Sequence, residues 1–299
     1  MLSINRISTR ILYLIICLAV LWLWLPVAAG ATTKNNAEPF RALQKKLIQD
    51  GFNSDKITRL YSRPQVFFET DGVTILFTYS EAKVDYDQFA NDWSISKAKK
   101  YMQKHQENLD RVEKSYGVDS RVITAILLVE TGLGTTVGTR STLNSLSTLA
   151  SLMYPDVRST FYKKIPDAKR PPRKKFEKTA KRRSKWAYAE LKAFLKYTYQ
   201  EGFDPAEIPG SFAGAMGYAQ FMPSNILAYG KDGNNDGTID LLTHADSMAS
   251  IANFLKRHGW RPGISRKKQE KVIYHYNHSD YYVKTILKIA ERLKAEQGA

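Results

Sequence analysis

The stretch Gly117–Gly134, GVDSRVITAILLVETGLG, constrains the fold more than any other in this chain. Val122, Ile123, Ala125, Ile126, Leu127, Leu128 and Val129 follow one another almost without a polar break. A surface helix shows one apolar stripe, whereas a helix that is apolar nearly all round has to be enclosed by other elements. Asp119 is a natural N-cap for a helix starting near Ser120, and Gly132 and Gly134 stop it. The chain therefore folds around a buried helix, and Glu130 stands at its end. Apolar neighbours and the negative end of the helix dipole both oppose ionisation there, which suits a general acid. The plainer reading is a glutamate that leans past the helix end into solvent.

The other strong patterns are also helical. Phe40–Ile48, Ser96–Tyr116, Trp186–Tyr199 and Tyr281–Ala295 carry apolar residues at helical spacing, and Thr243–Asp246 reads as a capping box for a helix through Phe254. One segment reads as a strand: VTILFTY, Val73–Tyr79, after the turn signal Asp71-Gly72. No internal repeat is visible. With 299 residues and 43% hydrophobic content, the chain has ample material for a core.

The first 31 residues stand apart. Arg6 and Arg10 precede the apolar run Ile11–Leu25, Pro26 ends it, and Ala29-Gly30-Ala31 offers a small-residue cleavage site. This is a signal-peptide pattern. An uncleaved anchor is the alternative, although the run is short of the roughly 20 residues a spanning helix needs. The single cysteine, Cys17, lies inside the run with Ile16 before it, where a lipidated cysteine takes a small residue. Export without disulfides fits a bacterial periplasm or envelope.

The formal charge is +16, and +14 without Arg6 and Arg10. Much of it lies in Lys163–Lys185, with 12 basic and 2 acidic residues and prolines at 166, 171 and 172. The segment reads as an exposed loop or basic insert. Nucleic acid is not expected for an exported protein; anionic wall polymer or a membrane surface is the candidate contact. A solvated loop without a partner explains the run equally well.

Two further motifs carry chemistry. GSFAGAMGYAQFMPSN, Gly210–Asn225, sets Gln220, Phe221 and Met222 behind a run of small residues. Such a run lets a backbone pass close to a ligand or to a neighbouring helix, and both readings stand. In DGNNDGTIDLLTHAD, Asp232, Asn234, Asp236 and Gly237 match positions 1, 3, 5 and 6 of an EF-hand loop, with Thr238 as a carbonyl donor. Position 12 is Thr243, where the bidentate glutamate should stand, and Asp246 is the candidate that closes a longer loop onto Ca2+. An Asn/Asp/Gly-rich turn needs no metal.

In this order, VETGLG, GSFAGAMGYAQFMPSN, DGNNDGTIDL and YNHSDYY resemble the lytic murein transglycosylase B family over most of residues 40–299. The resemblance implies that Glu130 is the sole catalytic acid/base. It implies cleavage of the β-1,4 bond between N-acetylmuramic acid and N-acetylglucosamine in peptidoglycan, with a 1,6-anhydro product. It implies that Ser211, Gln220, Phe221, Met222, Tyr276, Asn277 and Tyr282 line the sugar groove, with Tyr281 a competitor for the place of Tyr282. SLMYPDVRSTF matches only in part, which puts a substrate contact by Arg158 in question.

The expected fold is mainly α (α+β): a lysozyme-like helical core, a small antiparallel sheet and an EF-hand-like loop. The expected organisation is a signal peptide over 1–31, an N-terminal helical and small-strand region over 32–100, and the catalytic core over 101–299. Any Ca2+ is structural, and the chemistry needs no cofactor.

Overall fold

The computed structural model describes residues 38–78 and 86–295; the signal-peptide pattern, the linker at 32–37 and Tyr79 lie outside them. The central element is α6, Ser120–Thr131, preceded by α1 (Arg41–Gln49), α2 (Ser54–Tyr61), α3 (Thr70–Thr78), α4 (Asp92–Lys104) and α5 (Gln106–Tyr116). Residues 122–128 of α6 are all buried, as an all-round apolar helix requires. The Asp119 side chain accepts the Arg121 N–H at its start, and Gly132 at φ 57° ends it.

A two-residue antiparallel sheet, β1 (Arg140–Ser141) with β2 (Pro209–Gly210), pairs Arg140 with Gly210. Between these strands run α7 (Thr142–Ser151), α8 (Pro155–Lys164) and α9 (Arg173–Gln200); α10 (Pro223–Tyr229), α11 (His244–Arg257), α12 (Arg266–Tyr276) and α13 (Asp280–Ala295) follow. Every residue of α7 is buried although six of its ten side chains are polar. The N-terminal region satisfies three of them: Tyr61 Oη and Ser147 Oγ lie 2.7 Å apart, Thr148 Oγ1 accepts the Glu69 N–H, and Asn144 accepts from Phe67 N and donates to Gln65 O. These bonds hold the N-terminal region to the rest of the chain, and one apolar cluster runs through both. The hydroxyls of Thr142, Ser145 and Ser151 are buried without a hydrogen-bond partner among the described residues.

Three expectations fail here. The apolar run from Val73 is helical. A lone strand leaves its backbone unpaired, and no partner strand lies beside it among the described residues, whereas a helix satisfies those groups within itself. Glu69 accepts the Gly72 N–H at the start of α3, and Phe77 packs on Phe161 and Phe176. The helix expected over 96–116 is broken at His105 (φ −113°), whose ring packs 4.4 Å from both Tyr101 and His244. The basic segment 163–185 is a connection only over 165–172, with Lys163 and Lys164 ending α8. From Arg173 onward it is the first half of the 28-residue α9, anchored by buried Phe176, Ala180 and Ser184. Arg158 is buried against Glu177 at 2.6 Å and against the carbonyls of Leu152 and Met153, so it is a packing residue.

Close approach explains the small residues of 210–217. A Cβ on Gly210 would meet Thr142 Oγ1 at 2.3 Å, and one on Gly214 would meet Leu146. Gly217 has φ 68°, and a Cβ there would lie 2.4 Å from Leu241 Cβ and 2.5 Å from its carbonyl oxygen. Gly217→Ala combines backbone strain with overpacking, and destabilisation of roughly 2–4 kcal/mol with an unchanged m-value is expected in urea unfolding.

Candidate active site

Glu130 sits in the last turn of α6, partly exposed beside its buried neighbours. Tyr282, in the first turn of α13, donates its hydroxyl to Glu130 Oε1 at 2.7 Å. The ring of Tyr276, in the last turn of α12, stacks on that of Tyr282 at 6.3 Å, with 7° between the planes. Tyr276 Oη donates to the Ala219 carbonyl at 2.5 Å. Phe221 packs on Tyr276 at 5.7 Å. Four separate segments thus meet beside one carboxylate. Burial first, and the charge of Glu130 second, push both phenols well above their ordinary range. Both stay protonated and remain donors.

The predicted sugar-groove residues divide into distinct positions. Tyr282 reaches Glu130, whereas Tyr281 is 72% exposed and stacks on Tyr86. Phe221 is buried, so it supports the Tyr276 ring from behind instead of lining an open groove. Gln220 takes the unusual φ of 46°, and its Nε2 donates to the Gly217 carbonyl at 2.9 Å. Met222 stands just before α10, which opens with Pro223. Ser211 Oγ accepts the N–H groups of Ala213 and Ala215 and so shapes the turn. Asn277 caps the end of α12. A surface groove of about 390 Å³ between α12 and α13, lined by Tyr274, His275 and Lys284, holds none of these residues.

The segment after Glu130 is held by Lys97, outside every motif, and by motif residues to which the sequence assigned no role. Lys97 Nζ donates to the Gly132 carbonyl at 2.9 Å, as a cation at a helix C-terminus should. Thr131 Oγ1 donates to the Tyr218 carbonyl and accepts the Gly134 N–H. His244 packs on Tyr218 with the rings tilted by 36° and meets Tyr101 Oη through Nδ1 at 2.9 Å. Burial, then His105 and Lys104, lower its pKa to about 4. These contacts join elements far apart in the chain, and only the helical face of Tyr101 and His105 hinted at them.

The acidic loop folds onto itself. Asp232 accepts the N–H groups of Asp236 and Gly237, Asp236 accepts that of Thr238, and Asn234 donates to Asp236. Asp246 is fully buried and accepts from Gly233 N at 2.9 Å and Asp240 N at 2.7 Å, while Thr243 caps its N–H. Burial, with the nearby charges of Asp232 and Asp236, raises its pKa against the pull of those two N–H groups. Among the described residues no three His, Cys, Asp or Glu side chains gather closely enough to hold a metal ion. The oxygens of Asp232, Asn234, Asp236 and the Thr238 carbonyl nevertheless form the hard donor set that calcium takes. The loop leads to Leu241, whose carbonyl accepts the Tyr218 N–H at 2.8 Å. It therefore supports Thr131, and through it the turn beside Glu130.

The sequence and the fold both have known relatives. Residues 35–269 match the model of the transglycosylase SLT domain, and the chain belongs to this family. A stretch of 163 residues, 54% of this chain, is 35% identical to membrane-bound lytic murein transglycosylase B of Escherichia coli (strain K12). The match covers 38% of that relative's length. The structure of the Escherichia coli lytic transglycosylase Slt35 in complex with calcium superposes with a TM-score of 0.69 at 22% identity, covering 90% of this chain and 96% of that one. SltB3 from Pseudomonas aeruginosa, in complex with NAG-anhNAM-pentapeptide, gives 0.69 at 19% identity, covering 87% of this chain and 80% of that one. At these identities the two structures establish the fold, a lysozyme-like helical one with a small sheet.

The two tyrosines give a direct test of the geometry. Tyr282→Phe keeps the ring but removes the donor to Glu130, and a loss of about 1–2 kcal/mol is expected. Tyr281→Phe changes an exposed group and should stay within about 0.5 kcal/mol. Urea unfolding of both variants reads the difference.

Proposed function

We propose that this protein is a lytic transglycosylase, cleaving the β-1,4 bond between N-acetylmuramic acid and N-acetylglucosamine in peptidoglycan and leaving a 1,6-anhydro-muramoyl end. The observation that carries the reading is the Tyr282–Glu130 hydrogen bond at the end of the enclosed α6. Family membership supports the reaction class. The murein transglycosylase named among the relatives, and the peptidoglycan fragment held by the structural neighbour, support the substrate.

One carboxylate suffices for this reaction. Ordinary glycosidases use two, about 5–5.5 Å apart when retaining and 6.5–9.5 Å apart when inverting, because the second activates water or attacks the sugar. Here the nucleophile belongs to the substrate. Protonated Glu130 gives its proton to the leaving glycosidic oxygen. The C6 hydroxyl then attacks C1 of the same sugar, and the Glu130 carboxylate takes the proton released from that hydroxyl. The glutamic acid is restored and no water is consumed. Internal attack gains from proximity, since both reacting groups lie on one residue. Tyr282 orients the carboxylate through both proton transfers. Tyr276, Gln220, Met222, Ser211 and Asn277 contact the glycan or shape its path, and Gln220, with its Nε2 committed to Gly217, offers its amide oxygen to a sugar hydroxyl.

The acidic loop is proposed to hold one structural Ca2+ through Asp232, Asn234, Asp236 and the Thr238 carbonyl, with Asp246 bracing the loop from beneath. A homologous fold solved with calcium supports this. The ion would supply positive charge to an acidic turn and take no part in bond cleavage. The sequence signals support export through residues 1–31 and action in the periplasm, with an N-terminal region over 32–100 and the catalytic part over 101–299.

Mass spectrometry of products from purified peptidoglycan tests the reaction. Anhydro-muropeptides are expected, and Glu130→Gln should abolish them while changing stability by no more than about 1–2 kcal/mol. Reducing ends would instead mean hydrolysis through water. For the loop, millimolar calcium should raise the melting temperature of the wild type and not that of Asp236→Ala, because a ligand that binds only the folded state stabilises it.

A further inference from the structure

We propose that the N-terminal half of α9 is a docking face for an anionic lipid bilayer. The proposal builds on the envelope location argued above, and its test reads lipid binding, not turnover. Lys174, Lys178, Lys181 and Lys185 follow each other at spacings of four, three and four residues, which puts them on one helical face, and all four are exposed. Arg182 is exposed beside them, and Trp186, 38% exposed, lies about 100° round the helix from Lys185, off the stripe. The opposite face, with Phe176, Ala180, Ala187 and Leu191, is locked in the core. The helix can therefore lie against a surface without inserting.

The positive charge of this face is uncompensated. Glu177 is held by Arg158 at 2.6 Å and Arg173 at 2.7 Å, and Asp167 pairs with Arg170. Among the described residues no acid pairs with any of the four lysines. The straight stripe from Lys174 to Lys185 is about 16 Å long at 1.5 Å per residue. Such a row matches a flat layer of anionic headgroups.

A linear soluble polyanion fits less well. The concavity that would receive it, about 430 Å³ between α1 and α9, is lined by Lys46, Lys181, Lys185 and Lys192, but Asp50 stands within it. Lys192 at 2.8 Å and Tyr188 at 3.0 Å hydrogen-bond to Asp50 and hold its carboxyl below the usual range, so a negative charge persists there. Lys46 of α1 lies over the Tyr188 ring at 5.0 Å, and the sequence upstream of α1 contains the apolar run Ile11–Leu25. Stable membrane attachment usually takes two signals, and a basic patch is a common second one.

The full chain should be titrated with vesicles of phosphatidylcholine alone and with phosphatidylglycerol added. Phosphatidylglycerol should strengthen binding at least about tenfold, at roughly 1 kcal/mol per lysine near the surface. High salt should erase that gain. The K174E/K178E/K181E/K185E variant should lose the gain and bind phosphatidylcholine as the wild type does. The corresponding Lys→Gln variant, with an unchanged melting temperature, guards against a folding defect. Equal binding of wild type and both variants to phosphatidylglycerol vesicles would overturn the proposal. So would polyphosphate binding as tightly as the vesicles through the same four lysines, which would make the face a polymer site.

Discussion

A carboxylate at the end of an enclosed helix needs a donor, and most of the architecture around Glu130 follows from providing one. The helix α6 cannot face water, so α4, α5, α11 and α13 pack about it. The first turn of α13 then delivers Tyr282 to Glu130 Oε1. The donor is itself a buried phenol, raised well above its ordinary pKa by desolvation and by the charge it serves. The pair is therefore self-consistent: burial, and after it the charge of Glu130, keep the proton on the tyrosine, and the glutamate keeps a donor because the tyrosine is protonated.

The remaining scaffold acts at one remove. Tyr276 stacks on Tyr282, Phe221 backs Tyr276, and the Ala219 carbonyl fixes the Tyr276 hydroxyl. The small residues that precede Phe221 are consumed by packing on α7 and on Leu241. Hence the glycines of this segment serve close packing, one of the two roles its small residues allow. The acidic loop reaches the same place by another route, through Leu241, Tyr218 and Thr131. A site that must hold one proton at one position gains from such independent supports, since positional error costs rate steeply.

The charge of the molecule has a separate logic. The lysines of α9 are spread along an exposed helical face whose other side belongs to the core. Composition alone made the segment a loop, because proline and dense charge precede it. What it lacked was sight of Phe176, Ala180 and Leu191, spaced at helical period between the cations. Read together with them, the same residues make a long helix with a basic exposed face.

The sequence by itself determined the elements whose physics is local. The all-apolar helix, its Asp119 cap, its glycine stop and the carboxylate at its end were legible from one short stretch. So were the Thr243 cap, the close packing of glycines and the oxygen-rich loop. Tertiary structure alone decided whether the run from Val73 is strand or helix, since that depends on whether a partner strand exists. It decided that Phe221 is buried, that Arg158 packs inside, and that Tyr282, not Tyr281, meets Glu130. Adjacent tyrosines are alike in sequence, but on a helix they point about 100° apart, and only the packing of α13 against α6 selects one.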